Sequence, residues 1–130
     1  MKHVVKLVII DNNNRHLILK RSNHPKYPND PDLPGGTLEG DEEPLQALAR
    51  EIREETGIVT NWQQATKLYE GTDYAASYTY HLYSITFKNR PEVVISWEHS
   101  SYEWIELEEF LEKAKNAKDS YMHMVYDVLK

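Results

Sequence analysis

The chain has 130 residues, 40% hydrophobic and 28% charged, and its 21 acidic and 15 basic side chains give a formal charge of −6. Such a length and composition fit one globular domain over residues 1–130 and exclude a disordered or fibrous chain. The acidic balance argues against stable nucleic-acid binding, which needs a basic surface, and the absence of cysteine removes disulfides, thiolate metal sites and cysteine nucleophiles.

The opening "MKHVVKLVII" is an apolar run interrupted by Lys6 and ended by "DNNN", too short for a signal or membrane segment, so a soluble cytoplasmic protein with no membrane partner is expected. Val4 to Ile10 and His16 to Arg21 are β-rich runs around "DNNNR", whose Asn and Asp tolerate the positive φ of tight turns; they predict a hairpin. From Pro25 to Pro34 a proline stands at every third position, which removes backbone donors and predicts an irregular loop. The same spacing suits a polyproline ligand, but a loop leading into a site fits better with the glycine- and glutamate-rich segment downstream of it.

Asp41 is the predicted cap of a helix that tolerates Pro44 in its first turn and stops at Gly57, with Leu45, Leu48, Ala49 and Ile52 as its apolar stripe. Beyond it Trp62 to Gly71, Ala76 to Phe87 and Val93 to Trp97 read as strands, and "YEWIEL" adds a short one. Glu108 to Ala117 and Ser120 to Lys130 have helical composition, with Phe110, Leu111, Ala114, Met124, Val125 and Leu129 as apolar contacts. The order of strands, helix, strands, helix implies an α/β protein whose mixed sheet is covered on both faces.

The helix raises a physical problem. Glu51, Glu54 and Glu55 stand at i, i+3 and i+4, so three carboxylates share an arc of roughly 100°. Crowding of that kind raises their pKa values and costs stability unless something compensates. A divalent cation does so, since hard ions such as Mg²⁺ or Mn²⁺ prefer oxygen ligands, and the lack of Cys and of a His pair at ligand spacing disfavours zinc. The alternative for an isolated "REIREE" is a solvated face with Arg50 and Arg53 in surface pairs.

The flanks decide between them. Gly36, five residues, Glu42, seven residues, then Arg50-Glu51-Ile52-Arg53-Glu54-Glu55-Thr56-Gly57-Ile58 resembles the complete Nudix box, G-x5-E-x7-R-E-U-x-E-E-x-G-U, with U a bulky aliphatic residue. At roughly 7% usage per fixed residue, chance produces this about once in 10⁸ windows. The resemblance implies the Nudix α/β/α sandwich and a hydrolase of nucleoside diphosphates linked to another group, with a divalent metal, usually Mg²⁺, as cofactor. It implies metal ligation by the Gly35 carbonyl, Glu51, Glu54 and Glu55, with Arg50 orienting a catalytic carboxylate, placed to reach Glu54 at i+4. Glu42 is expected to serve the loop and helix junction. Glu51 or Glu54 is the expected general base, since ligand and base roles interchange across relatives.

Outside the box, Glu98 in "WEHSSYEW" resembles the loop glutamate that some members bring to the metal or water, and an exposed loop acid accounts for it equally well. Lys20 and Arg21 end the second β-run, where relatives often place a phosphate contact; a solvated strand end is the competing role. His24, Lys26 and His99 have weaker claims, and His81 reads as a packed or surface histidine. Alternation puts Tyr78 and Tyr80 on one strand face and Tyr83 on the other. Tyr74 lies 16 residues past the box, where dinucleoside polyphosphate hydrolases of the family carry a tyrosine, a weak match in a tyrosine-rich stretch. Tyr27, Tyr74 and Trp97 are candidate base-stacking aromatics, none of them singled out. Asp119 resembles residues that bond a base edge in oxidised-nucleotide sanitisers, with helix capping the simpler role.

The expected activity is therefore that of a small MutT-like pyrophosphohydrolase, taking a nucleoside triphosphate, modified bases included, to monophosphate and pyrophosphate. The proline expected about 15 residues after the box in ADP-ribose hydrolases is missing. So are the NADH-type "SQPWPFPxS" stretch and the coenzyme A signature. Dinucleoside polyphosphate or capped-RNA hydrolysis stays open. A non-catalytic Nudix-fold nucleotide-binding module competes from another class, although such modules usually lose box carboxylates and this chain keeps all of them. A homodimer is common among relatives.

Overall fold

A computed structural model describes residues 1–130. The strand β1 (Lys2–Ile10) runs through the middle of a seven-stranded mixed sheet, where it pairs in parallel with β6 (Tyr78–Thr86) from Lys2↔Tyr78 to Ile10↔Thr86. Coverage on both faces buries Val5 through Ile9 without a break, the pattern of a central strand. Outside β6 lies antiparallel β5 (Thr66–Asp73).

On the other side of β1 two strands share the edge. β4 (Gly35–Thr37) pairs antiparallel with its first half, Val5 opposite Gly36 and Lys6 opposite Gly35. β2 (His16–Arg21) touches β1 only at Ile10↔His16 and then diverges to pair with β3 (Pro31–Asp32) and with β7 (His99–Ile105). The expected hairpin is thus a shared turn, with Asn14 at φ 59° and the Asp11 carboxylate accepting the N–H groups of Asn13 and Arg15, both at 2.8 Å. The gap where β1 and β2 part admits β4 and exposes the backbone of Gly35 and Gly36 to a cleft.

Helix α1 (Pro44–Thr56) covers one face. Its Leu48 and Ile52 join Val5, Leu7, Leu17 and Leu19 in a core of 13 buried residues, and Leu45 and Ala49 pack against its margin. Helices α2 (Leu107–Lys115) and α3 (Ser120–Leu129) cover the other, where Phe110, Met122 and Val125 meet Val8, Ile18 and Leu82. The alternation along β1 and β2 assigns odd positions to α1 and even ones to α2 and α3, and Tyr80 and Tyr83 divide between the two cores as expected. No helix is long and apolar enough to cross a membrane.

Three expected elements change. The cap of α1 is Glu43, whose N–H is accepted by the Gln46 side chain at 2.8 Å, while Asp41 is exposed two residues upstream. Trp62–Gln64 is a single 3-10 turn, capped by Asn61, before β5 begins at Thr66. Val93 to Trp97 is not a strand: Val94 donates its N–H to the Thr56 carbonyl at the end of α1, at 2.9 Å, so this backbone is spent on the helix terminus. The loop from Pro25 to Pro34 holds the two-residue β3, and of "YEWIEL" Tyr102 to Ile105 belong to the longer β7 while Glu106 and Leu107 start α2.

Gly57 ends α1 at φ 75° with only Val94 Cβ near its missing side chain, at 3.8 Å. Gly57→Ala is expected to cost about 1–2 kcal/mol, from backbone strain alone. Leu48→Ala, which empties a fully buried position, is expected to cost about 2–5 kcal/mol, and urea denaturation of the two variants tests the order.

Candidate active site

The box residues meet where α1 runs under β4. Glu55, 2% exposed, accepts the Gly35 N–H on Oε2 at 3.2 Å. The Glu51 carboxyl fills the space beside Gly36: a Cβ on that glycine would stand 2.6 Å from Glu51 Cδ. Gly35, at φ 147°, has no room either, since a Cβ would lie 2.1 Å from the Val5 carbonyl oxygen. Both glycines are therefore required by close approach, one to a carboxylate and one to the neighbouring strand.

Burial, and then the Glu51 carboxyl against it, push the Glu55 carboxyl up to about 9. Arg50 relieves part of this crowding. Its Nε and Nη2 donate to the two oxygens of Glu42, each at 2.9 Å, and Nη1 donates to Glu51 Oε1 at 2.7 Å. Glu54 is farther, at 3.8 Å, so the i+4 partner expected from spacing is secondary and the adjacent Glu51 is the residue Arg50 orients. Glu42 also accepts the Glu39 N–H at 2.8 Å. The Arg50 bonds, then that backbone bond, hold its carboxyl at about 2, and the fork to Glu42 raises the guanidinium in turn. Glu42 thus ties the loop to the helix, as expected.

The residues suit a hard divalent ion: a glycine-lined turn, carboxylate oxygens, and a buried Glu55 carboxyl crowded by that of Glu51. Glu51 turns to Arg50 and Glu54 projects outward with 56% of its side chain exposed, so no three acids converge on one point in this arrangement.

Gly35, Gly36 and Glu55 form one wall of a cleft of about 790 Å³, large enough for a nucleotide. Glu98, Arg21 and Asp119 line it too, so these expected residues are brought together. Lys20, alternating with Arg21 on β2, points away into a separate groove beside Tyr102 and Glu112. Tyr74 is 81% exposed on the turn between β5 and β6 and is not brought to the cleft. Asp119 caps α3, accepting the Tyr121 N–H at 3.0 Å, and its other oxygen accepts from Arg21 Nη2 at 2.6 Å. Capping and cleft lining are here one residue's work. His81 is buried against His3, their ring nitrogens 2.9 Å apart, and lies outside the cleft.

Beneath the cleft is a charge network the residue types alone did not reveal. Asp32 Oδ1 accepts from the Lys6 ammonium and from Arg21 Nη2, the latter at 3.2 Å, and Oδ2 lies 3.0 Å from His99 Nε2. His99 Nδ1 faces Glu55 Oε1 at 3.7 Å, joining the network to the acid pair. Burial by itself would raise the Asp32 carboxyl; Lys6, the His99 bond and Arg21 outweigh it and hold the group far below the usual carboxylate range. The signal in the sequence was Lys6 itself, a charge at an interior position of an apolar strand.

A carboxylate whose folded pKa is depressed contributes stability above its unfolded value near 3.9, and that contribution is lost as pH falls from there toward the folded value. Asp32→Asn is expected to cost about 3–5 kcal/mol at pH 7, because it leaves Lys6 and Arg21 buried without their shared counter-ion. Denaturation from pH 7 to pH 2 checks both statements: the gap between wild type and variant narrows as acid is added.

A family model described as the NUDIX domain matches residues 1–125. A curated MutT-like protein of Streptomyces ambofaciens is 29% identical over 109 residues, covering 82% of this chain and 64% of that protein. The ADP-ribose pyrophosphatase of Methanocaldococcus jannaschii is 37% identical over 65 residues, covering 50% of this chain and 38% of that protein. The chain thus spans less than two thirds of the length of either curated relative. The crystal structure of a MutT protein from Methanosarcina mazei Go1 shares the fold, with a TM-score of 0.76 at 23% identity over 98% of this chain and 91% of that one. With the box residues assembled on α1 and β4 and the family model spanning nearly every residue, the chain belongs to the Nudix family.

Proposed function

We propose that the chain is a metal-dependent pyrophosphohydrolase that cleaves a nucleoside diphosphate linked to another group, taking a nucleoside triphosphate, modified bases included, to monophosphate and pyrophosphate. The observation that carries this reading is the buried Glu55, bonded to Gly35 on the wall of a nucleotide-sized cleft, with Glu51 packed against Gly36 beside it. The names of the two curated relatives, a MutT-like protein and an ADP-ribose pyrophosphatase, support the same class of reaction.

In this reading the Gly35 carbonyl, Glu51, Glu54, Glu55 and Glu98 would hold Mg²⁺, or Mn²⁺ in its place. Such an ion, when bound, supplies neutralisation of the diphosphate and acidification of a water. The chain's own groups do the rest. Arg50, fixed by the fork to Glu42, sets the orientation of Glu51. Glu51 or Glu54 takes the proton of the attacking water as its oxygen bonds to phosphorus, and pyrophosphate leaves with the electrons of the broken anhydride bond. The wall of β4 and α1 holds these groups on rigid elements.

Turnover of a substrate panel with Mg²⁺ tests the reading, with nucleoside triphosphates read as phosphate after added pyrophosphatase and with ADP-ribose and dinucleoside polyphosphates read as nucleotide products by chromatography. The panel is expected to give activity that chelator abolishes. Glu51→Gln and Glu54→Gln are each expected to lower kcat by about 10²- to 10⁴-fold with circular dichroism unchanged. A fully active double variant would remove the assignment.

A further inference from the structure

Five aromatic side chains line the cleft, at Tyr27, Tyr78, Tyr80, Trp97 and Tyr121, and four of them already have partners for their rings. Tyr27 stacks on His24 with centroids 5.4 Å apart and takes the Arg21 guanidinium over its ring at 5.5 Å. Tyr78 stacks on Tyr80 at 6.2 Å, Tyr80 meets Tyr121 edge-on at 5.0 Å, and the Lys6 ammonium lies over the Tyr121 ring at 5.3 Å. Trp97 has no aromatic or cationic neighbour and is 86% exposed on the cleft rim.

An indole left in water is usually one of the scattered exposed apolar groups of any protein surface. Two features set this one apart. Its backbone is held, since Ser22 Oγ donates to the Trp97 carbonyl at 2.8 Å and the Ser22 N–H donates to the Glu98 carbonyl at 3.1 Å. Those bonds tie the rim carrying Trp97 to the adjoining segment, where the His24 ring accepts the Lys26 and Tyr27 N–H groups, both at 3.0 Å. The indole also stands one residue from Glu98, so a ligand whose phosphates lie at the acid wall brings its nucleoside to this rim. A pre-positioned aromatic with an unused face is suited to a flat, apolar, π-rich group, and its contact grows with the size of that group.

We infer that Trp97 stacks on the nucleobase and selects purine over pyrimidine nucleotides. The inference rests on the nucleotide reading of the cleft and adds the residue that discriminates between bases. Tyr74, the aromatic the family pattern points to, lies outside the cleft and has no part in it.

Steady-state kinetics of wild type, Trp97→Leu and Trp97→Phe on purine and pyrimidine nucleoside triphosphates with Mg²⁺ test the inference. Loss of a base–aromatic stack is expected to raise KM for the purine substrate about 5- to 150-fold in Trp97→Leu. The loss falls on KM rather than kcat, the pyrimidine-to-purine KM ratio shrinks toward one, and Trp97→Phe recovers most of both. An unchanged ratio overturns the inference. Binding is read separately from the indole emission that disappears in Trp97→Leu, titrated with a purine α,β-methylene triphosphate or with inorganic tripolyphosphate. Quenching by the nucleotide alone upholds the stacking even if no hydrolysis is found, in which case only the proposed reaction fails. Equal response to both ligands, or to neither, overturns it.

Discussion

Glu55 sits almost without solvent, bonded to the Gly35 amide and pressed by Glu51, and most of the surrounding architecture can be understood as accommodating those two carboxyls. Carboxylates in a poorly solvated space repel one another and lose hydration together, so they persist only with a proton, a cation or a strong donor beside them. Each of these has a place here. Glu55 is pushed toward its protonated form, Arg50 donates to Glu51 from a position locked by Glu42, and the Glu55 carboxyl lines a cleft where, on the proposed reading, a cation would sit.

The fold delivers this arrangement through one topological feature. Because β2 leaves β1 after a single paired position, β4 can lie along the first half of β1 and bring Gly35 and Gly36 over α1. The same divergence makes room on the opposite side for Lys6, Arg21 and His99 to converge on Asp32. Two charge systems of opposite character therefore share the cleft floor. The one around Asp32 gathers Lys6 and Arg21 on a single carboxylate, whereas the one around Glu51 and Glu55 crowds two carboxyls together. A ligand carrying its own cations complements the second and leaves the first undisturbed.

Local pattern revealed much of this. The apolar stripe and Gly57 located α1, the order of strands, helix, strands and helix pointed to a sheet covered on both faces, and the box spacing marked the carboxylates that meet Gly35 and Gly36. What stayed hidden depends on contacts between distant segments. Val93 to Trp97 has strand-like composition, yet its backbone caps the end of α1 through Val94. Glu43 displaced Asp41 as the cap because Gln46 reaches back to it. Arg50 bonds Glu51 and not chiefly Glu54 because Glu42, eight residues upstream, pulls the guanidinium toward the helix start. Nothing local to Asp32 announces that Lys6 from β1, Arg21 from β2 and His99 from β7 end on it.

On the proposed reading, the Glu51 and Glu55 pair holds a divalent cation. Electron paramagnetic resonance of Mn²⁺ titrated into the protein measures this without any turnover, because bound and free ions give distinct signals. The account predicts a saturable bound population that Mg²⁺ displaces and that Glu51→Gln weakens by an order of magnitude or more. A titration in which every added ion stays free, with and without a non-hydrolysable nucleotide, would contradict it.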